Sequence, residues 1–271
     1  MQDTTMIEAM IGPATVAMAG FAALWPLSLK WRDASVVDFW WGPGFAAMAL
    51  VAWWQAGQPI TGPAALLALL VCVWGVRLGI VLGARRLREG VEDPRYTEIR
   101  DAHEPGFWWK SLFIVFGLQG LIQIGLGSGM VAAMALGSEP IGIASLLAGL
   151  VATGAIMAEA LSDWQLDRFR RTHPHGGLLT TGLRRIVRYP SYTAEIAFWS
   201  AIAVIAMDAG IAWAPLCPVI LAAMLLKLSG VSVLDERLAR TRPEFLDYAA
   251  STPALFPPLH RARPRASLGN Q

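Results

Sequence analysis

Apolar stretches of roughly bilayer-spanning length recur along the chain, separated by short polar connections. They run Ile7–Leu29, Val36–Trp54, Ala64–Leu82, Phe107–Leu126, Ile141–Leu161, Tyr192–Met207 and Ile211–Gly230. A helix needs about 20 predominantly apolar residues to cross the hydrocarbon core. The pattern therefore predicts an all-α polytopic membrane protein with seven transmembrane helices. The last two stretches are short and closely coupled, which also fits a helical hairpin. No internal repeat or second domain is evident, so residues 1–260 are expected to form one membrane domain. Residues 261–271 read as a disordered basic tail.

The connections alternate in charge, and this orients the helices. Lys30–Asp33, Arg85–Lys110, Arg168–Arg188 and the segment after Lys227 are basic. Gln55–Pro63 has no charge, while Gly137–Pro140 and Asp208–Gly210 carry one acid each. Lys and Arg favour the cytoplasmic side, which predicts an outside N-terminus and a cytoplasmic C-terminus in a multi-pass integral membrane protein. The start of the chain is acidic, unlike a signal peptide, so the first stretch is expected to remain as an anchor. Shorter helices are expected in the polar segments. Gly90 can end an extension of the third helix, and Asp93-Pro94 has the order of an N-cap followed by a first-turn proline. That helix would carry Arg95, Tyr96 and Arg100 at the membrane surface, with Phe107-Trp-Trp109 re-entering at the interface. Arg242–Tyr248 reads as a short amphipathic piece before Pro253, Pro257 and Pro258.

Composition agrees with a membrane setting. Hydrophobic residues make up 55% of the chain and charged ones 15%, against about 25% charged in soluble domains. The net charge of +2 suggests no nucleic-acid partner. Cys72 and Cys217 sit in apolar runs without zinc spacing. His173 and His175 flank a proline in a Gly-rich turn and read as loop residues, so no metal site is expected.

Chemistry concentrates between Glu159 and Glu195. Glu159, Asp163 and Asp167 are spaced by four and form one stripe along the fifth helix. Carboxylates within or near hydrocarbon are costly and mark function by default. Acids suited to ribose hydroxyls, followed by arginines suited to phosphate, would accommodate a dinucleotide at the helix end. Arg170, Arg171, Arg184, Arg185 and Arg188 supply the positive charge. The same arginines fit a purely topological role, and Asp167–Arg171 a surface pair. A soluble dinucleotide fold is excluded because no Gly-x-Gly-x-x-Gly follows a strand, and the commonest membrane metalloprotease and serine hydrolase signatures are missing. Two polar residues lie within apolar spans elsewhere, Asp38 and Arg77. Asp38 could pair with Arg77, act as a proton donor, or simply sit at the interface. Gln119 and Gln123 could line the same cavity or bond across helices.

The motifs Asp38-Phe-Trp-Trp-Gly-Pro-Gly-Phe45, Trp74-Gly-Val-Arg-Leu78, Glu92-Asp-Pro-Arg-Tyr96, Phe107-Trp-Trp-Lys-Ser111, Gln119-Gly120 and Ser162-Asp-Trp-Gln165 with Phe169 come in order. Gly182-Leu to Arg188, Tyr192 to Glu195, Ser229-Gly-Val231 and Phe256-Pro257 complete the set. In these the chain resembles the steroid 5-alpha-reductase family, in particular its bacterial branch, from Asp38 to Pro257. The resemblance implies a seven-helix membrane reductase in which residues of about 141–258 form the cofactor region for NADPH. Its expected reaction is hydride transfer to a C=C bond conjugated to a ketone in a lipophilic, steroid-like or isoprenoid-like substrate drawn from membrane lipid metabolism. It implies cofactor-contacting roles for Arg77, Asp163, Arg170, Ser191 and Glu195. Arg95, Glu159, Arg188 and Tyr192 join them as candidates, with Asp38, Trp74 and Tyr96 as candidate donors to the carbonyl. The chain departs from the branch's Arg-His-Pro-Asn-Tyr at Arg188-Tyr-Pro-Ser-Tyr192, and Trp74 stands where the family has a ketone-polarising Tyr. The same element resembles isoprenylcysteine carboxyl methyltransferases, which use S-adenosylmethionine. A methyltransferase and a non-catalytic lipid-binding membrane protein are therefore the alternative expectations.

Overall fold

The computed structural model describes residues 5–137, 139–173, 176–227 and 230–256, and among these there are helices and no strands. The first helix, α1 (Met6–Trp31), starts at a capping box in which Thr5 and Glu8 satisfy each other's backbone N–H groups. It ends at Arg32, which takes a left-handed conformation with φ 52°. A 3-10 helix, Ala34–Trp40, leads into α2 (Trp41–Gln55), and Asp33 caps it by accepting from the Ser35 N–H. Next come α3 (Pro63–Glu89) and α4 (Pro94–His103). Helix α5 (Phe107–Leu136) contains a π-helical stretch at Leu112–Gly117. Helices α6 (Ile143–Thr172), α7 (Pro190–Asp208), α8 (Leu216–Lys227), α9 (Val231–Thr241) and α10 (Phe245–Ser251) complete the order.

Seven helical stretches are long and apolar enough to cross a membrane, the second being the 3-10 helix with α2 (Ala34–Gln55) and the seventh the stretch Leu216–Thr241 that takes in α8 and α9. Each overlaps one of the expected spans, but the limits differ where polar residues continue a helix. Helix α3 runs past Leu82 to Glu89 and ends at Gly90 with φ 69°, where the sequence predicts the end of its extension. Helix α6 continues from Leu161 through the charged residues to Thr172. The second span begins as a 3-10 helix, and the seventh starts at Leu216 rather than Ile211. Many large apolar side chains face outward, among them Ile7, Leu69, Ile80 and Leu150. On a soluble protein such exposure would be a liability, whereas on a membrane helix it meets lipid. The expected tail at 261–271, His175, Ser229 and Pro257 lie outside the described residues.

The chain divides into two compact units, Met1–Met157 with Glu195–Ala223, and Ala158–Ala194 with Met224–Gln271. In the first unit α2 and α3 approach backbone to backbone. A Cβ at Gly75 would meet the Gly42 carbonyl, and a Cβ at Gly42 would meet that of Gly75. Small residues at such crossings are the usual means of tight helix packing in lipid. Phe21, Val36, Val37, Phe107 and Phe116 form a core cluster around the 3-10 helix. In the second unit Phe245, Tyr248 and Leu255 are buried. The backbone of Arg188 and Tyr189 there donates to the carbonyls of Pro253 and Ala254.

Candidate functional site

In the first unit, the loop after α3 folds α4 over the 3-10 helix. Glu92 holds this arrangement, because its Oε1 accepts from the Ala34 N–H at 2.6 Å and from Arg100 Nη2 at 2.7 Å. Asp93 caps α4 through the Arg95 N–H at 3.0 Å, as the Asp93-Pro94 order predicts. Below it, buried Asp33 pairs with Arg86 of α3. With α4 fixed in this way, the Tyr96 hydroxyl donates to Asp38 Oδ1 at 2.7 Å, and Gln119 Nε2 of α5 donates to the Tyr96 oxygen at 2.9 Å. Arg95 Nη2 lies 3.6 Å from Asp38 Oδ2 and 3.1 Å from Asp93 Oδ2. Two candidate donors, Asp38 and Tyr96, are thus brought together beside candidate Arg95.

Charge states follow from these contacts. Burial and then the Asp38 carboxylate hold the Tyr96 phenol well above its ordinary pKa. It therefore stays protonated and can serve as a donor. Burial disfavours the Arg95 cation, but Asp93 and Asp38 outweigh this and raise its pKa. Burial would likewise raise the Asp93 pKa, yet its hydrogen bond and charge pair with Arg95 hold it below the ordinary value.

The pairing of Asp38 with Arg77 is not formed. Asp38 takes Tyr96 and Arg95 as its partners because α4 reaches the 3-10 helix. Arg77 is half-buried in α3. Gln123 bonds across helices, donating to the Trp41 carbonyl at 2.8 Å, so only Gln119 joins the Tyr96 group. Trp74 is fully buried, with Phe198 stacked at 5.0 Å and Phe45 and Trp199 edge-on. The rings around this indole make it part of an aromatic core.

The second unit gathers most of the candidate cofactor residues. Ser191 Oγ lies 2.9 Å from Ser162 Oγ and donates to Asp163 Oδ1 at 3.3 Å. Leu183 N–H donates to Gln165 Oε1 at 3.0 Å, which ties the 3-10 turn Gly182–Arg185 to α6. Glu159 is buried, Asp163 is half-buried and Arg170 is exposed. Glu195 follows one turn after Ser191 on α7, but it belongs to the first unit. Asp167 and Arg171 form the expected exposed pair.

Arg188 has a different setting from an open phosphate ligand. Its Nη2 donates to Asp235 Oδ2 at 2.6 Å, and its Nη1 donates to the Thr252 and Ala249 carbonyls. Tyr189 donates to the other Asp235 oxygen, and its ring stacks on Tyr192 at 5.7 Å. Burial and then Asp235 raise the Tyr189 pKa. Arg184 is the more available cation. Its Nη1 donates to the Arg188 carbonyl, its Nε is buried without a hydrogen-bond partner among the described residues, and burial lowers its pKa.

Asp33, Glu92, Arg86 and Asp235 hold these sites, yet sequence reading did not single out their roles. Glu92 stood in a motif without a partner to explain it. Asp235 lies in the basic segment after Lys227, with no local pattern to mark its partner. Among the described residues no group of His, Cys, Asp and Glu is arranged to hold a metal ion.

No curated protein and no solved structure matches the chain. Residues 24–252 match the family described as "Protein of unknown function (DUF1295)". That match takes in the 3-10 helix and α2 to α10, including both groups of polar residues, and the chain belongs to the DUF1295 family.

Proposed function

We propose that this protein is a membrane-embedded reductase that uses NADPH to reduce a C=C bond conjugated to a ketone in a lipophilic substrate. The observation that carries this reading is the Gln119–Tyr96–Asp38 chain in the first unit. The resemblance to steroid 5-alpha-reductases supports it. Reduction of an enone places negative charge on the carbonyl oxygen, and an oriented donor in a low-dielectric site stabilises that charge. Tyr96 would turn its hydroxyl from Asp38 to the substrate oxygen. Asp38 and Arg95 would balance charge behind it, and Gln119 would hold the phenol oxygen in place. Tyr96 would then fill the role that the family gives to a Tyr at the position of Trp74.

The side chains of the second unit suit a dinucleotide. Asp163 and Ser191 offer an acceptor and a hydroxyl for ribose or amide groups, and Arg184 and Arg170 offer guanidinium groups for phosphate. When bound, NADPH would supply the hydride to the β-carbon and leave as NADP+, and a proton from water would complete the reduction at the α-carbon. Arg188 would act indirectly, by fixing the chain before α7 against Asp235. The basic connections favour a cytoplasmic C-terminus in a bacterial inner membrane, where soluble NADPH is available.

The test is thermal unfolding of the detergent-purified protein with NADPH, NADH and S-adenosylmethionine. A ligand that binds only the folded state raises the midpoint. NADPH is expected to raise it, less so for Asp163→Ala, and NADPH fluorescence should decay when a steroid or isoprenoid enone is added. Stabilisation by S-adenosylmethionine but not by NADPH would refute the reductase and favour a methyltransferase.

A further inference from the structure

A cleft of about 370 Å³ opens in the first unit where α1 ends and α5 begins. Its lining includes Leu29, Arg32, Arg100, Glu104, Phe107 and Trp108. Because two spans terminate here, the cleft lies at the level of a membrane interface. Exposed Trp108 lines it, exposed Trp31 and Trp109 adjoin its lining residues Arg32 and Trp108 in the chain, and Trp favours the headgroup region.

The charges of the cleft divide into a satisfied pair and an unsatisfied one. Arg100 is matched by Glu92 at 2.7 Å, and its guanidinium lies over the Phe107 ring at 4.6 Å. Lys110 next to the cleft donates to the His103 and Pro105 carbonyls. Arg32 has no ion pair among the described residues, although its backbone is held in the left-handed region with φ 52°. That conformation is unusual for a residue with a Cβ. Glu104 uses Oε2 to accept from the Gly106 and Phe107 N–H groups, leaving Oε1 open. One cation, one anion and an aromatic wall thus face the same space.

We propose that this cleft binds the headgroup of a zwitterionic phospholipid of the phosphatidylethanolamine type. Arg32 takes the phosphate in a charge-assisted contact, and Glu104 with Trp108 takes the ammonium. The acyl chains follow the exposed apolar surface below Leu29 and Trp108. A purely anionic headgroup would satisfy Arg32 and leave Glu104 opposed to it, so charge complementarity selects the zwitterion. This site is independent of the proposed reductase chemistry, since none of its residues is assigned a role there.

Native mass spectrometry of the detergent-purified full chain tests the proposal, with dioleoyl phosphatidylethanolamine, dioleoyl phosphatidylglycerol and free phosphoethanolamine as probes. Phosphatidylethanolamine should be retained at one site, and Arg32→Ala and Glu104→Gln should each weaken it by about tenfold, as expected for loss of one charge-assisted contact. Gln at position 104 keeps the acceptor for Gly106, and the circular dichroism melt of each variant reports whether the fold is intact. Free phosphoethanolamine competing with the lipid would support recognition of the headgroup itself. Equal retention of phosphatidylglycerol, unaffected by Glu104→Gln, would overturn the proposal in favour of a simple anion site. Retention unaffected by both substitutions would overturn it in favour of lipid bound along the apolar surface alone.

Discussion

The Tyr96 hydroxyl donates to the Asp38 carboxylate at 2.7 Å, joining residues 58 positions apart in the chain. Asp38 lies in the 3-10 helix that opens the second span, whereas Tyr96 lies on the short helix after the third. The contact depends on Glu92, which bonds both to the start of the 3-10 helix and to α4. Tyr96→Phe removes the donor but keeps the ring. Loss of this buried hydrogen bond should cost about 1–2 kcal/mol of stability. Enone reduction should fall by roughly a hundredfold or more, as for loss of a general acid. NADPH-induced stabilisation should be retained. Steady-state kinetics and thermal unfolding with NADPH measure the two effects, and unchanged turnover would remove Tyr96 from the mechanism.

The Arg188–Asp235 clamp is a structural element, and breaking it should unfold the second unit locally. Arg188→Ala leaves Asp235 Oδ2 and two backbone carbonyls without their Arg188 donor, while Tyr189 still donates to the other Asp235 oxygen. Removing one member of a buried pair typically costs about 3–5 kcal/mol. The partial exposure of Asp235 places the expected loss at or below the lower end of that range. Limited proteolysis between α9 and α10 should accelerate. The double variant Arg188→Met/Asp235→Leu should recover part of the loss, because neither charge is left alone. Equal sensitivity of the single and double variants would show that the carbonyl contacts, rather than the ion pair, hold the segment.

Asp93 gives α4 an acid sensitivity whose sign follows from its lowered pKa. A carboxyl with a folded pKa below its unfolded value near 3.8 stabilises the fold above that value. The contribution is lost as pH falls below it through the folded pKa. Asn at this position can still cap the helix but cannot ion-pair with Arg95. The acid-side decline in thermal midpoint should therefore be shallower in Asp93→Asn than in the parent protein. Identical acid profiles would place the sensitivity elsewhere.

Gly75 marks the closest approach of α2 and α3. A methyl group there meets the Gly42 carbonyl, which is backbone and cannot swing aside. Gly75→Ala should destabilise the first unit by about 1–3 kcal/mol, as other overpacking changes do. Gly83→Ala on the same helix should be neutral or slightly stabilising, since a Cβ there meets open space. Comparing the two melts separates backbone contact from any general effect of adding a methyl group to α3.

What the sequence could determine was local. Seven apolar stretches predicted seven helical spans because hydropathy acts over one continuous segment and needs no partner. Gly90 and Asp93-Pro94 marked a helix end and a new start because capping uses the backbone immediately beside the cap. Spacing placed Glu159, Asp163 and Asp167 on one helix for the same reason. The true end of α6 was less legible, since a hydropathy window stops at the first charged turn while the helix continues through it. Tertiary structure alone chose partners. It gave Asp38 to Tyr96 and Arg95 rather than Arg77, and bound Arg188 to Asp235 across 47 positions. Buried charges take whichever partner the path of the chain brings within a few ångströms, and no local pattern encodes that distance.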